Sequence, residues 1–282
     1  MTRWTWQSTW PAPAKLNLFL HVIGRRADGY HLLQSVFRFI DRADQLHFEA
    51  RQDDQIVLAT PIPGVPPETD LTVRAARLLQ ATSGSRQGVT IHLDKQLPMG
   101  GGLGGGSSDA ATVLLALNHL WQSGLSRREL EKLGLTLGAD VPVFIHGQNT
   151  FAEGVGETFT DIDLPAASYL ILHPAVNVPT GAIFTAPELQ RDTPSITPST
   201  WRYGEGHNDL EPVACGKFPA VAEHLAWLRQ FAPQAMMTGS GACVFAAFAD
   251  RSAAQKILAM RPAKMSGWLA DGLPEHPLAG LN

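Results

Sequence analysis

Apolar residues recur along this chain with two different periods, and each period predicts its own elements. Lys15 to Ile23 (KLNLFLHVI) and Leu32 to Ile40 (LLQSVFRFI) are short apolar stretches rich in β-branched and aromatic side chains. They are joined by RRADGY, whose Asp28-Gly29 pair favours a turn, so the two read as a β-hairpin. Residues 44 to 60 continue as strand, and Val89 to Leu93 (VTIHL) alternates as a half-buried strand does. Helical spacing takes over after Asp70, which caps a helix with Leu71, Ala75, Leu78 and Leu79 on its apolar face. Ser107, Ser108 and Asp109 are N-cap candidates for a helix carrying Val113, Leu114, Leu117 and Leu120 and ending near Gly124. Ser126 and Glu129 form a capping box for another helix reaching about Leu137. Val141 to Ile145 and Tyr169 to Leu172 read as buried strands, and Phe218 to Phe231 as an amphipathic helix. A second glycine cluster, TGSGACVFAAF from Thr238, runs into an apolar strand. Strands come in runs rather than in strict alternation with helices, so the class is α+β. A boundary is expected at the glycine-rich AEGVGE, dividing the chain into 1–156 and 157–282.

Composition narrows the function classes. The 282 residues are 44% hydrophobic, enough for a real core, and the formal charge of −4 leaves no basic face for nucleic acid and no polybasic membrane anchor. No run approaches the roughly 18 apolar residues of a membrane helix, and MTRWTWQSTWPAPAK lacks the apolar centre of a signal peptide. Two cysteines, Cys215 and Cys243, make no disulfide framework and fit a reducing compartment, so a cytoplasmic protein is expected. The early tryptophans, Trp4, Trp6 and Trp10, are expected to pack onto a neighbouring surface.

The densest signal is chemical. Six glycines occupy the seven positions from Gly100 to Gly106, a few residues past one strand and directly before a helix. Each glycine carries an unfolded-state entropy burden of about 0.4 to 1 kcal/mol unless the native backbone requires it. A bare loop running into a helix start offers inward-pointing amides and a partial positive charge, which is what an anion needs; a purely structural tight loop is the other reading. The spacing from Gly101 to Gly106 follows a P-loop until its lysine, where Ser107 stands, and Gly100, Gly102 and Gly105 satisfy G-x-G-x-x-G only as any glycine run would.

PMGGGLGGGSSDAA, together with PAKLNLFLHVIGRRADGYH, LTLGADVPVF and TGSGACVF, resembles the GHMP kinase superfamily of small-molecule ATP kinases. The resemblance implies a two-domain kinase, with an N-terminal ribosomal-protein-S5-domain-2-like domain and a C-terminal α/β sandwich. ATP would lie along the first and the acceptor between the two. The RADGYH stretch is similar to the branch whose acceptor is a cytidyl diphosphate of methylerythritol, in the non-mevalonate route to isopentenyl diphosphate. That branch transfers the γ-phosphate of ATP to the acceptor's 2-hydroxyl. A superfamily kinase for homoserine, mevalonate or a sugar, and a non-catalytic nucleotide-binding module, are the competing readings.

Residue roles follow from the same resemblance. Asp140 matches the catalytic aspartate and Lys15 the lysine that pairs with it and orients the hydroxyl; on their own they read as a turn aspartate and a strand-end lysine reaching solvent. Asn17, on the same strand face as Lys15, matches a substrate contact. Tyr30 and His31 match residues holding the cytosine, with Phe184 on its other side. The ATP loop would comprise Pro98, Met99, Gly100, Gly101, Gly102, Leu103, Gly104, Gly105, Gly106, Ser107 and Ser108, with a serine hydroxyl added and Lys95 as an adenine-side or phosphate-side neighbour. Thr238, Gly239, Ser240 and Gly241 match a supporting glycine loop, packed beneath the phosphate loop or approaching the acceptor. No metal-ligand pattern is present, and Mg²⁺ is expected to travel with ATP. The partners implied are thus ATP and one small molecule, with no nucleic acid or membrane, for a monomer or a homodimer.

Overall fold

The computed structural model describes residues 3–281. Its first sheet is built on the hairpin of β1 (Trp10–Arg25) and β2 (His31–Arg51), antiparallel from Trp10 opposite Leu46 to Arg25 opposite His31. β3 (Ile56–Leu58), α1 (Leu71–Ser83) and β4 (Gly88–Asp94) follow, then α2 (Gly105–Leu120), α3 (Arg127–Leu137), α4 (Val141–His146), β5 (Thr150–Glu153) and β6 (Thr158–Asp161). The sheet runs β3-β4-β2-β5-β6, with β1 on β2. The second part contains β7 (Ser168–His173), α5 (Thr180–Phe184), α6 (Glu211–Lys217), α7 (Pro219–Arg229), β8 (Met236–Met237), β9 (Val244–Phe248), α8 (Arg251–Ala259) and β10 (Ser266–Asp271). Its four strands form an antiparallel sheet in the order β10-β7-β9-β8. The molecule is therefore an α+β chain of two packed units.

Alternation along the strands assigns the cores. Leu170 and Leu172 of β7 join the helix-covered core of the second sheet, while Tyr169 and Ile171 face a cluster that includes Leu16, Phe19, Val36 and Ile40 of the first. This seam cements the units. β1 reaches further, carrying Leu20 and Val22 into the second core. The first core lies between its sheet and α1 to α4, and α2 runs through it with every residue from Ser108 to Asn118 buried.

Four expectations need correction. Val141–Ile145 is helical, because Pro142 suits a first helical turn and Gly147 closes the last one in the left-handed region at φ 83°. A short run buried on every side has no periodicity to separate strand from helix. The N-cap of α2 is Gly104, and Ser107, Ser108 and Asp109 lie inside the helix; Ser108 Oγ instead donates to the Pro13 carbonyl at 2.7 Å. The division expected at 156/157 falls within the β5–β6 hairpin, and the sheets part in the 162–167 connection. Finally, the range 157–282 does not stay in one unit, since the chain end returns to the first: Leu278 and Leu281 enter its core, and Arg127 Nη2 donates to the Leu278, Ala279 and Leu281 carbonyls at 3.1, 2.8 and 2.7 Å. Trp4 and Trp6 pack against this same core, Trp4 stacked on the fully buried Trp10.

Candidate active site

A cleft of about 920 Å³ opens along the seam, lined from both units. At one end lies the glycine loop. Gly102 and Gly104 both sit at φ 73°, where a side chain is strained, and a Cβ on Gly104 would come within 2.8 Å of Phe144 Cζ. At Gly102 a Cβ would collide with the Thr238 carbonyl oxygen. The loop is held from below by the second glycine cluster: the Ala242 and Cys243 amides donate to the Gly100 and Gly101 carbonyls at 3.0 and 3.1 Å, and Thr238 Oγ1 to the Gly102 carbonyl at 3.4 Å. From the first unit, the Lys15 amide donates to the Leu103 carbonyl at 3.0 Å. The loop delivers the chain into α2, whose first amides have no partner within the helix and whose dipole favours an anion at Gly105 to Ser107. Pro98 to Ser107 all line the cleft; Ser108 does not, since its hydroxyl is committed to Pro13. Thr238 is likewise buried behind the wall, whereas Gly239, Ser240 and Gly241 reach it.

At the centre, Lys15 Nζ lies 3.4 Å from Asp140 Oδ2, with side-chain exposures of 3% and 39%. Burying an ammonium demands compensation, and Lys15 has three partners: Asp140, Asn17 Oδ1 at 2.5 Å, and the Phe37 ring with its centroid at 5.2 Å. Asn17 is itself fixed: its side-chain amide donates to Ser35 Oγ at 2.7 Å and its backbone amide donates to Thr238 Oγ1 at 3.0 Å. Asp140 stands at the N-cap of α4 without making a side-chain cap hydrogen bond, so its carboxylate is free to face the cleft.

At the other end, Tyr30 stands 64% exposed on the β1–β2 turn, and the His31 and Phe184 rings lie 5.1 Å apart. Tyr30 is thus no core aromatic. The turn is closed by the Arg26 amide to the Tyr30 carbonyl at 2.7 Å. Burial, then Arg191, then Arg25 hold the His31 imidazole below the usual histidine range.

Lys95 lines the cleft beside Gly105, between two buried carboxylates. It bonds Asp44 Oδ2, and Asp109 Oδ2 at 2.7 Å, while Asp44 Oδ1 accepts from the Gln96 and Leu97 amides at 2.6 and 2.7 Å. Burial works against the ammonium, but Asp109 and Asp44 outweigh it and raise Lys95 above its ordinary value. One ammonium cannot serve two buried carboxylates fully. Burial pushes Asp109 up to about 7 against the pull of Lys95, with Asp44 adding to the rise, and Asp109 Oδ1 has no hydrogen-bond partner. Asp44 and Arg191 carried no sequence signal, one lying inside a long strand and the other in a loop, and Asp109 reads as a cap from its place after two serines.

Family models for the GHMP kinases N-terminal domain and the GHMP kinases C-terminal region match residues 70–148 and 201–267. The chain belongs to the GHMP kinase family. Its GHMP N-terminal match spans the glycine loop and Asp140, and its C-terminal match spans Thr238 to Gly241; Lys15, Tyr30 and His31 precede both. A relative from Dechloromonas aromatica strain RCB, named 4-diphosphocytidyl-2-C-methyl-D-erythritol kinase, is 77% identical over 97% of this chain and 100% of its own. A crystal structure of 4-(cytidine 5'-diphospho)-2C-methyl-D-erythritol kinase superposes with a TM-score of 0.78 at 34% identity, covering 94% of this chain and 99% of the other. Homoserine kinase from Cytophaga hutchinsonii shares the fold, with a TM-score of 0.72 at 18% identity over 98% of both chains.

Proposed function

We propose that this GHMP kinase transfers the γ-phosphate of ATP to the 2-hydroxyl of 4-diphosphocytidyl-2-C-methyl-D-erythritol, giving the 2-phosphate and ADP. The observation that carries the reading is the continuity of one cleft, with the glycine loop at one end, the Lys15–Asp140 pair in the middle and the Tyr30, His31 and Phe184 rings at the other. The strong identity to a relative of that name supports the choice of acceptor. In this arrangement the loop amides and the start of α2 hold the triphosphate, while the aromatic end grips the base. The acceptor oxygen attacks the γ-phosphorus as the bond to the β,γ-bridging oxygen breaks and ADP leaves with that oxygen. Asp140 takes the hydroxyl proton, and Lys15, locked by Asn17, orients the carboxylate and offsets charge.

Mg²⁺ enters as part of the ATP substrate. Among the described residues no cluster of three or more His, Cys, Asp or Glu side chains is placed to hold an ion, and Mg²⁺ bound to the triphosphate would screen the charge that the transfer moves. The unpaired Cys215 and Cys243 accord with a cytoplasmic setting.

Incubating the purified chain with ATP, Mg²⁺ and the cytidyl acceptor is expected to release one ADP per acceptor consumed and to give a new phosphate monoester in the phosphorus NMR spectrum. Turnover of homoserine, mevalonate or a sugar, with the cytidyl compound left untouched, would overturn the acceptor assignment.

A further inference from the structure

Arg191 does not line the cleft, yet it touches both walls of its aromatic end. Its Nε donates to His31 Nε2 at 3.1 Å, across from the other unit. Its Nη1 donates to the Leu189 carbonyl at 2.8 Å, and its Nη2 to the Phe184 and Ala186 carbonyls at 3.1 and 2.6 Å. The guanidinium is a fixed fork of donors with no lone pair to offer and no proton to lose. The ring nitrogen it faces must therefore be the acceptor, which places the imidazole proton on Nδ1. A doubly protonated ring would set donor against donor and cation against cation. The lowered basicity of His31 agrees with this arrangement, burial and Arg191 being its two largest causes.

We infer that Arg191 is a positioning residue for the acceptor's base. It locks His31 as the neutral Nδ1–H tautomer and ties the turn after α5, which carries Phe184, to the start of β2. The pocket then presents one fixed donor to a hydrogen-bond acceptor on the pyrimidine edge, between walls held at a set spacing. This rests on the cytidyl reading of the cleft. A lysine in place of Arg191 keeps the charge but cannot make four directed contacts at once.

Two measurements on the full chain test it. Long-range proton–nitrogen NMR of histidine-labelled protein at neutral pH, with the His31 signal assigned by its loss in His31→Gln, is expected to show Nδ1 protonated and Nε2 bare. Finding the proton on Nε2 of the wild-type protein would overturn the inference without any variant having to fold. In kinetics, Arg191→Lys is expected to raise the KM for the cytidyl acceptor by about tenfold or more, while the KM for ATP and kcat at saturating acceptor stay within about twofold. An acceptor KM left within twofold would equally overturn it. A wild-type chain that does not turn over the cytidyl acceptor would instead sink the acceptor assignment, and the tautomer would still decide whether Arg191 locks His31.

Discussion

A lysine ammonium 3.4 Å from a carboxylate and 2.5 Å from an amide oxygen has little freedom, and that restraint is what in-line transfer asks of the groups around it. Lys95 shows a different economy. Its two carboxylates leave a net negative charge buried beside the glycine loop, and Asp109 answers by holding its proton up to about 7. Because that value is raised above the usual aspartate range, the folded chain binds the proton more tightly than the unfolded one. The stability this contributes is present in full below the ordinary aspartate pKa and is lost as pH rises through about 7. Asp109→Asn keeps an oxygen for Lys95 and removes the charge. Relative to wild type, its urea midpoint is therefore expected to improve between pH 4 and pH 8, by the equivalent of about 1 to 3 kcal/mol; a difference that does not change with pH would refute this. At this scale short motifs point to Lys15, Asp140, Tyr30 and His31, whereas Phe184 lies in none of them and comes only through the family resemblance; all five side chains line one cleft. Asp44 and Arg191 were not legible, since a single acid or base in a strand or loop says nothing of the partner brought to it from far along the chain.

At the scale of elements, the glycine loop and α2 act as one device: the loop's carbonyls are held by the 238–243 turn while the helix start stays open. Gly102→Ala would meet the Thr238 carbonyl and a positive φ together, two backbone obstacles that no rotamer relieves. Its ATP affinity is expected to fall by at least about tenfold, the effect of a strain near 1.4 kcal/mol, as read by nucleotide titration. Gly106→Ala is the control, because its nearest neighbour is Leu71 Cδ1 at an ordinary 3.6 Å and its fold should be kept. Unchanged nucleotide affinity in Gly102→Ala would mean that the loop does not cradle the phosphates. Hairpin, capping box and Asp70 cap were readable because each rests on local chemistry: a turn pair, a serine–glutamate exchange and an N-cap oxygen. α4 was not, because burial on all sides erases the period that distinguishes helix from strand.

For the whole molecule, the cleft exists because the seam between two sheets leaves a gap that neither unit could enclose alone. β1 passes through both units and the C-terminal segment returns to the first, so the α+β class was visible in the run of elements but these crossings were not. They depend on which buried faces meet, and the sequence pattern marks only that faces are buried. The claim on which all of this converges is that a carboxylate at the middle of the cleft takes the proton of the attacking alcohol. The most direct measurement is kcat for acceptor-dependent ADP release by Asp140→Asn, which keeps the shape and cannot accept the proton. A fall of about 10²- to 10⁴-fold with both KM values little changed is expected; a rate within a few fold of wild type would contradict it.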